Sequence, residues 1–416
     1  MSFPRYPKYK DSGVEWLGQV PEHWQVCALK RIVRMQSGES ITAEGIGESG
    51  EYPVFGGNGL RGYTSSFTHD GHYVLIGRQG ALCGNINYGQ GKFWASEHAV
   101  VVAPIKQVET IWLGEMMQAM NLNQYSATAA QPGLSVDQVS RLETIVPPLA
   151  EQTAIAAFLD QETAKIDELV AEQQRLMELL KEKRQAVISH AVTKGLDPKA
   201  PMKPSGIEWL GDVPENWECA CLTRIASRIV VGIAEAATHA YADEGIPILR
   251  STNIRAGRIR GDILFIDPEF AGDRGSKQLN TGDLVTVRTG NAGVTAVIPP
   301  DFDGCQCFTM LITTLNHGSS SEYYCYWMNS VSAQCYFSLE GWGTAQVNIS
   351  VPILKALPIP IPPTSEQKEI VEYLDREIGK FDTLTTETQR AIDLLQERRT
   401  ALISAAVTGQ IDVRKT

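Results

Sequence analysis

The stretch from Pro147 to about Thr193, PPLAEQTAIAAFLDQETAKIDELVAEQQRLMELLKEKRQAVISHAVT, returns from Pro362 to Thr408 as PPTSEQKEIVEYLDREIGKFDTLTTETQRAIDLLQERRTALISAAVT. The two copies align without a gap: Glu151 falls on Glu366, Gln152 on Gln367 and Asp160 on Asp375, and both close on Ala-Val-Thr. Neither copy has a proline after its opening pair, so each is expected to be one helix of about 65 Å at 1.5 Å per residue. Apolar residues fall on one stripe at Leu159, Ile166, Leu169, Leu176, Leu180 and Val187, and at the matching Leu374, Phe381, Leu384, Ala391, Leu395 and Leu402. Steps of seven, three and four are the spacing of a coiled-coil seam. Thr364 and Gln367 have the spacing of a capping box, which the first copy lacks at Leu149. One such helix cannot bury its stripe alone. Because a whole domain separates the copies, the chain can return and pair them antiparallel; the plainer alternative is two helices that each pack on their own domain.

A second element is also repeated. Lys10 to Ile32, KDSGVEWLGQVPEHWQVCALKRI, recurs as Lys203 to Ile225, KPSGIEWLGDVPENWECACLTRI, with Trp16, Gly18, Val20, Pro21, Trp24 and Arg31 matched by Trp209, Gly211, Val213, Pro214, Trp217 and Arg224. The order is element, variable block, long helix, and then the same again, which predicts a tandem repeat about a pseudo-twofold axis. The expected fold class is α+β, with a strand-rich domain over 1–146, a long helix over 147–198, a second strand-rich domain over 199–361 and a second long helix over 362–416. The repeated tryptophans are expected to be packing anchors rather than a binding surface.

The net charge of −11 argues against a protein that coats nucleic acid without specificity, though it leaves room for local basic surfaces. The start MSFPRYPKYK has no apolar export segment and no apolar run approaches ~20 residues, so a soluble cytoplasmic protein is expected. The pairs Cys219 with Cys221 and Cys305 with Cys307 lack zinc-site spacing and are expected to be free, buried thiols.

The two variable blocks, about Val33 to Ala130 and Ala226 to Ala345, alternate apolar and polar residues between Gly, Asn and Asp turns and read as short strands. They share one local feature: Val74 to Gly80 and Leu284 to Gly290 are both a strand that delivers an arginine, Arg78 or Arg288, into a Gly turn with Gln79 or Thr289. Such a turn lets backbone N–H groups approach a phosphate, and the arginine can pair with phosphate or with a guanine edge. Asn291 follows the second turn, and Gln131 and Gln346 stand at the same repeat offset. Stronger is RSTNIRAGRIR, which gathers Arg250, Ser251, Thr252, Asn253, Arg255, Arg258 and Arg260. Arg and Asn read G and A edges bidentately, and Ser and Thr donate to phosphate. The alternative for that cluster is a solvated, salt-bridged strand face. In the first block the analogous loop, Gly56 to Gly62, carries Asn58 and Arg61.

Signatures of catalysis are missing from the sequence. There is no G-x-x-x-x-G-K-[ST] run, and Gly91-Lys92 is followed by Phe93. FGGNGLRG is not followed by a helical pattern, no H-E-x-x-H or Cys/His zinc spacing appears, and no Pro-Pro sits in the Asn/Asp-Pro-Pro-aromatic arrangement of amino-methyltransferases. Ser96, Glu97 and His98 lie in an apolar strand context and are not expected to be a catalytic group. These residues describe a binding protein with two unlike heads on one rigid spacer, with no metal and no cofactor of its own.

Taken together, YPKYKDSGVEWLGQVPEHW, its mid-chain repeat, the two PP..EQ..I...LD helix openings and the closing ALISAAVTGQIDVR resemble the specificity subunits of type I restriction-modification systems over essentially the whole chain. The resemblance implies two target-recognition domains, each reading one half of a bipartite, asymmetric DNA target, with the helices fixing the unread gap and docking modification subunits. It further implies two modification subunits that methylate adenine with S-adenosylmethionine, and restriction subunits that use ATP and magnesium in phage defence. The runner-up is a two-headed coiled-coil scaffold that binds proteins and never touches DNA. A targeting subunit for a fused or otherwise different methylating nuclease is a third reading.

Overall fold

The computed structural model describes residues 3–80, 82–126, 133–233, 240–271, 277–343 and 347–415. The chain divides into two compact units, Met1–Gln174 with Gln389–Thr416, and Arg175–Thr388.

Both duplicated stretches are helical, over Leu149–Lys194 and Thr364–Val407, and each unit takes one half of each helix. In the first unit Ile155 and Leu159 share a buried cluster with Ile403, Ala406 and Val407, and Arg399 Nε donates to Asp167 at 2.9 Å. In the second, Ile188, Ala191 and Val192 lie in one cluster with Ile370, Leu374 and Ile378, and Arg184 pairs with Asp382 at 3.6 Å. Within each unit rising numbers on one helix meet falling numbers on the other. The pairing is therefore antiparallel, as expected.

The seam differs in phase from its expected course. Leu159, Ile166, Leu374, Phe381 and Leu402 are buried, and Leu180, Val187, Ala391 and Leu395 are half-buried. Leu169, Leu176 and Leu384 are exposed, at 44%, 41% and 46%. The inward positions are Ile166, Val170, Gln173, Met177, Leu180 and Arg184 on one helix, and Ile378, Phe381, Thr385, Thr388 and Ile392 on the other, in alternating steps of three and four. One residue is about 100° of rotation on a helix. Choosing leucine over the adjacent Val170, Met177 or Thr385 therefore moves the stripe onto the outer face.

The helix entrances are built twice from the same parts. Gln152 is buried; its Oε1 accepts from Glu109 N and its Nε2 donates to Pro147 O, both at 2.9 Å. Gln367 repeats this with Ser320 N and Pro362 O, again at 2.9 Å. Glu109 and Ser320 are the N-caps of the helices Thr110–Ala119 and Ser321–Met328, so each glutamine ties a long helix to its domain. The expected capping box is not formed: Gln367 reaches Ser320, and Thr364 donates to Gly318 O at 3.0 Å.

The first unit adds a further device. Glu151, with 8% of its side chain exposed, accepts from Tyr6 Oη at 3.1 Å, Trp24 Nε1 at 3.0 Å and Arg414 at 3.2 Å, and bonds His23 Nε2 at 2.7 Å. Burial pushes the Glu151 carboxyl up, but the bonds from Trp24, His23 and Tyr6 and the charge of His23 together hold it below the ordinary range. The Asp412 N–H donates to Pro4 O at 2.8 Å, so residues near both ends of the chain complete this unit. Trp24 and Trp217 are fully buried and Trp16 and Trp209 half-buried, as packing anchors require.

The variable block of the first unit is a six-stranded sheet in the order Val33–Ser37, Ala99–Pro104, His69–Gly77, Ile86–Ala95, Tyr52–Gly56, Gly59–Thr64. Alternation along His69–Gly77 sends Val74 and Ile76 toward the helix Thr110–Ala119 and Leu75 to the other face with Phe93 and Val101. In the second unit the corresponding strands form two four-stranded sheets, and Leu284–Thr286 alternates in the same way, Leu284 toward one core and Val285 toward another. The parallel contact of Tyr52–Gly56 with Ile86–Ala95 has its counterpart in Ile246–Leu249 with Gln306–Cys307. Cys305 and Cys307 are buried, and burial first, with the charge of Asp303, pushes the Cys305 thiol up to about 12. Cys219 is half-buried and Cys221 exposed, because the strand Glu218–Cys221 has an open face.

Candidate nucleic-acid interface

The two Arg-Gly turns are the same construction. In the first unit the strand His69–Gly77 runs out at Arg78, whose N–H donates to His98 O and whose carbonyl accepts from Leu134 N, both at 2.9 Å. Gln79 bridges to Gly133, and Gly80 takes φ +86, a conformation that favours glycine. In the second unit Arg288 O accepts from Ile349 N at 3.0 Å, Thr289 bridges to Asn348, and Gly290 again takes φ +86. Just beyond, Ser135 and Ser350 cap the short helices Val136–Arg141 and Val351–Ala356. Each turn is thus clamped to the loop that precedes a capped helix, at equivalent repeat positions. Gln131 and Gln346, in those loops, lie outside the described residues.

The side chains presented on this shared backbone differ. In the first unit a recess of about 350 Å³ is lined by Gly57, Asn58, Arg61, Gln79, Leu82 and His98. The hairpin tip reaches the strand end because Gly77 lacks a Cβ: one added there would lie 2.2 Å from Gly57 O. Asn58, Arg61 and Gln79 are exposed and Arg78 is half-buried. Asn58 Oδ1 accepts from Asn85 Nδ2 at 3.3 Å, which aims the amide. This surface offers amide and imidazole groups that can accept as well as donate, with one guanidinium on its rim. Leu82 carried no sequence signal and His98 was weighed only as part of a catalytic group; both sit in turns that the folded sheet brings to the recess. His98 pairs with Glu97 at 3.2 Å, while the Ser96 hydroxyl is buried without a hydrogen-bond partner, so the three do not form a relay.

In the second unit Thr289 Oγ1 donates to Asn348 Oδ1 at 2.5 Å, Arg288 is half-buried, and Thr289 and Asn291 are exposed. Trp342 joins the same platform through two backbone bonds to Asn348, at 3.2 and 2.9 Å.

The Arg250–Arg260 cluster is not one surface. Asn253 is buried; its amide accepts from Arg250 N at 3.0 Å and donates to Arg260 O and Asp262 O, so it is committed to holding the loop. The strands Ile254–Arg255 and Arg258–Ile259 form a hairpin whose tip, Gly257, donates to Thr295 O at 2.9 Å. Arg258 stands 4.0 Å from Asp382 on the second long helix, and Arg255 donates to Thr252 O and Ile254 O. Arg250 is half-buried, with one nitrogen on Asp262 O at 3.2 Å. Ser251, Thr252, Arg255 and Arg260 keep exposed side chains. Among the described residues no group of His, Cys, Asp and Glu could hold a metal ion, and no helix is long and apolar enough to cross a membrane.

Comparison with known proteins fits this duplicated arrangement. The chain is 48% identical over 137 residues to the type I restriction enzyme EcoprrI specificity subunit of Escherichia coli, a match covering 32% of this chain and only 34% of that relative. To the EcoDI specificity subunit of Escherichia coli it is 21% identical over 413 residues, covering 95% of this chain and 90% of the relative. A chain from a structure of a type I R-M system, described for its complex assembly and conformational transition, shares the fold with a TM-score of 0.71 at 16% identity over 93% of this chain and 98% of its own length. The sequence profile described as type I restriction modification DNA specificity domain matches residues 21–179 and again 214–394. With most of both halves matched, the chain belongs to the type I restriction modification DNA specificity family.

Proposed function

We propose that this chain is the specificity subunit of a type I restriction-modification complex: it reads a bipartite, asymmetric DNA target, one half-site per unit, and performs no catalysis itself. The observation that carries this reading is the Arg-Gly turn clamped to a pre-helix loop, present once in each unit and bearing different side chains each time. One backbone placed twice suits a pair of identical modification subunits. Different side chains on it let the two half-sites differ.

The exposed leucines Leu169, Leu176, Leu179, Leu384 and Leu394 on the long helices support docking of modification subunits there, since a partner's surface would take them out of water. Those subunits would use S-adenosylmethionine, and the restriction subunits ATP and magnesium, all in the cytoplasm. Helix length is expected to set the unread spacer, so adding whole turns to both helices should lengthen the spacer and leave the half-sites unchanged.

The test is an adenine-methylation map of the source cell with and without this gene. Loss of one bipartite motif supports the proposal. An unchanged map, with its modification subunits expressed, would sink it and favour the protein-binding scaffold, whose affinity would lack the steep salt dependence of phosphate contacts.

A further inference from the structure

We infer that Trp342 is a base-contacting residue of the second recognition unit, an aromatic reader that meets the DNA beside the Arg288–Thr289 turn. This rests on the DNA-reading function proposed above and adds a residue and a contact type to it.

The indole is 57% exposed, yet the backbone beneath it is held firmly. Trp342 N–H donates to Asn348 O and its carbonyl accepts from Asn348 N, while the Asn348 side chain takes the Thr289 hydroxyl. Gly341 lets the chain pass close: an added Cβ would lie 2.4 Å from Val347 Cγ1 and 2.5 Å from Phe337 O. Gly343, at φ +114, turns it away again. A large apolar ring is thus carried on a fixed base that is tied through Asn348 to Thr289, on the turn that also bears Arg288 and Asn291. Those neighbours match a nucleic-acid surface, where an aromatic side chain gains by apolar contact with a thymine methyl in the major groove. The first unit also presents an exposed apolar side chain, Leu82 at 45%, in one recess with Gln79 and Asn58, though on the strand-end turn rather than on the pre-helix loop. Leu339, three residues before Trp342 and 66% exposed, is what a protein partner would use instead, and the experiment separates the two.

The test compares wild type, Trp342→Ala and Trp342→Phe, each as full-length chain and co-purified with its modification subunits, on duplexes carrying the mapped target or the target with its second half-site scrambled. For Trp342→Ala the expected result is at least about fivefold weaker binding to the full target, the lower end of what losing one base contact in a duplex site costs. Binding to the scrambled duplex and the slope of affinity against salt should not change, because no phosphate contact is lost. Trp342→Phe should retain part of the affinity. Unchanged binding to the full target, or an equal loss on both duplexes, overturns the inference. So does a loss that tracks failure to co-purify with the modification subunits, which would make the indole a protein contact. Failure of the underlying function is distinguishable: wild type would then show no preference between the two duplexes.

Discussion

Replacing Glu151 with alanine should destabilise the first unit far more than replacing its repeat partner Glu366 destabilises the second. Glu151 is the acceptor for Tyr6 Oη and Trp24 Nε1, and those residues are 4% and 0% exposed. Removing the carboxylate strands two buried donors, each costing about 1–3 kcal/mol. His23 and Arg414 are partly exposed and can turn to water, so their share is below about 1 kcal/mol. Allowing for water entering the vacated space, the expected loss is about 3 kcal/mol. Glu366 differs, with an exposed partner in Asn216 Nδ2 at 3.2 Å, while Trp217 Nε1 is already buried without a hydrogen-bond partner. Glu366→Ala strands nothing new and should cost under about 1 kcal/mol. Native-state hydrogen exchange, resolved by peptide, reads the two units separately in one sample. Equal losses in the two units, or a loss under 1 kcal/mol for Glu151→Ala, would refute the reasoning that orphaned donors, rather than exposed charge, set the cost.

Acid should act on the first unit through the same residues. The hydrogen bond from Arg414, opposed by burial, holds Asp412 below its usual value, and Glu151 is also lowered. A lowered folded value means stability that is complete above the ordinary carboxylate range, about pH 4, and is lost as pH falls through the folded values. Glu115, raised by burial, opposes this with the reverse sign, so the expected net is acid unfolding that starts below about pH 4, checked by circular dichroism during titration. Gln152→Ala and Gln367→Ala should each cost about 2 kcal/mol, and by similar amounts, since their bonds are the same; denaturant midpoints would test this. Ile392→Ala, on the seam at 5% exposure, should cost about 2–4 kcal/mol, whereas Leu394→Ala, at 55%, should stay within about 0.5 kcal/mol in the isolated chain. Arg78→Ala and Arg288→Ala should each lower the slope of log affinity against log salt by about 1 if they meet phosphate, measured by DNA titration across salt.

The sequence by itself determined what repeats. Two copies of a Pro-Pro-led helix, two tryptophan elements and two strands ending in Arg and a Gly turn were legible because each is local, a fixed spacing along the chain that recurs in the folded backbone. Antiparallel helix pairing followed from the order of the copies. Tertiary structure alone decided the seam's phase, because rotation of a helix by one residue depends on what faces it, and Val170 and Met177 are half-buried where Leu169 and Leu176 are exposed. It also decided which polar residues remain available. Asn253 sits in the richest cluster of the sequence, yet its amide is spent inside the loop. His98 and Asn58, far apart in the chain, line one recess because strand register and the close approach of Gly57 to Gly77 bring them together. Spacing along a chain reports the elements, whereas the faces they turn to each other and to a ligand are set by long-range packing that no single segment contains.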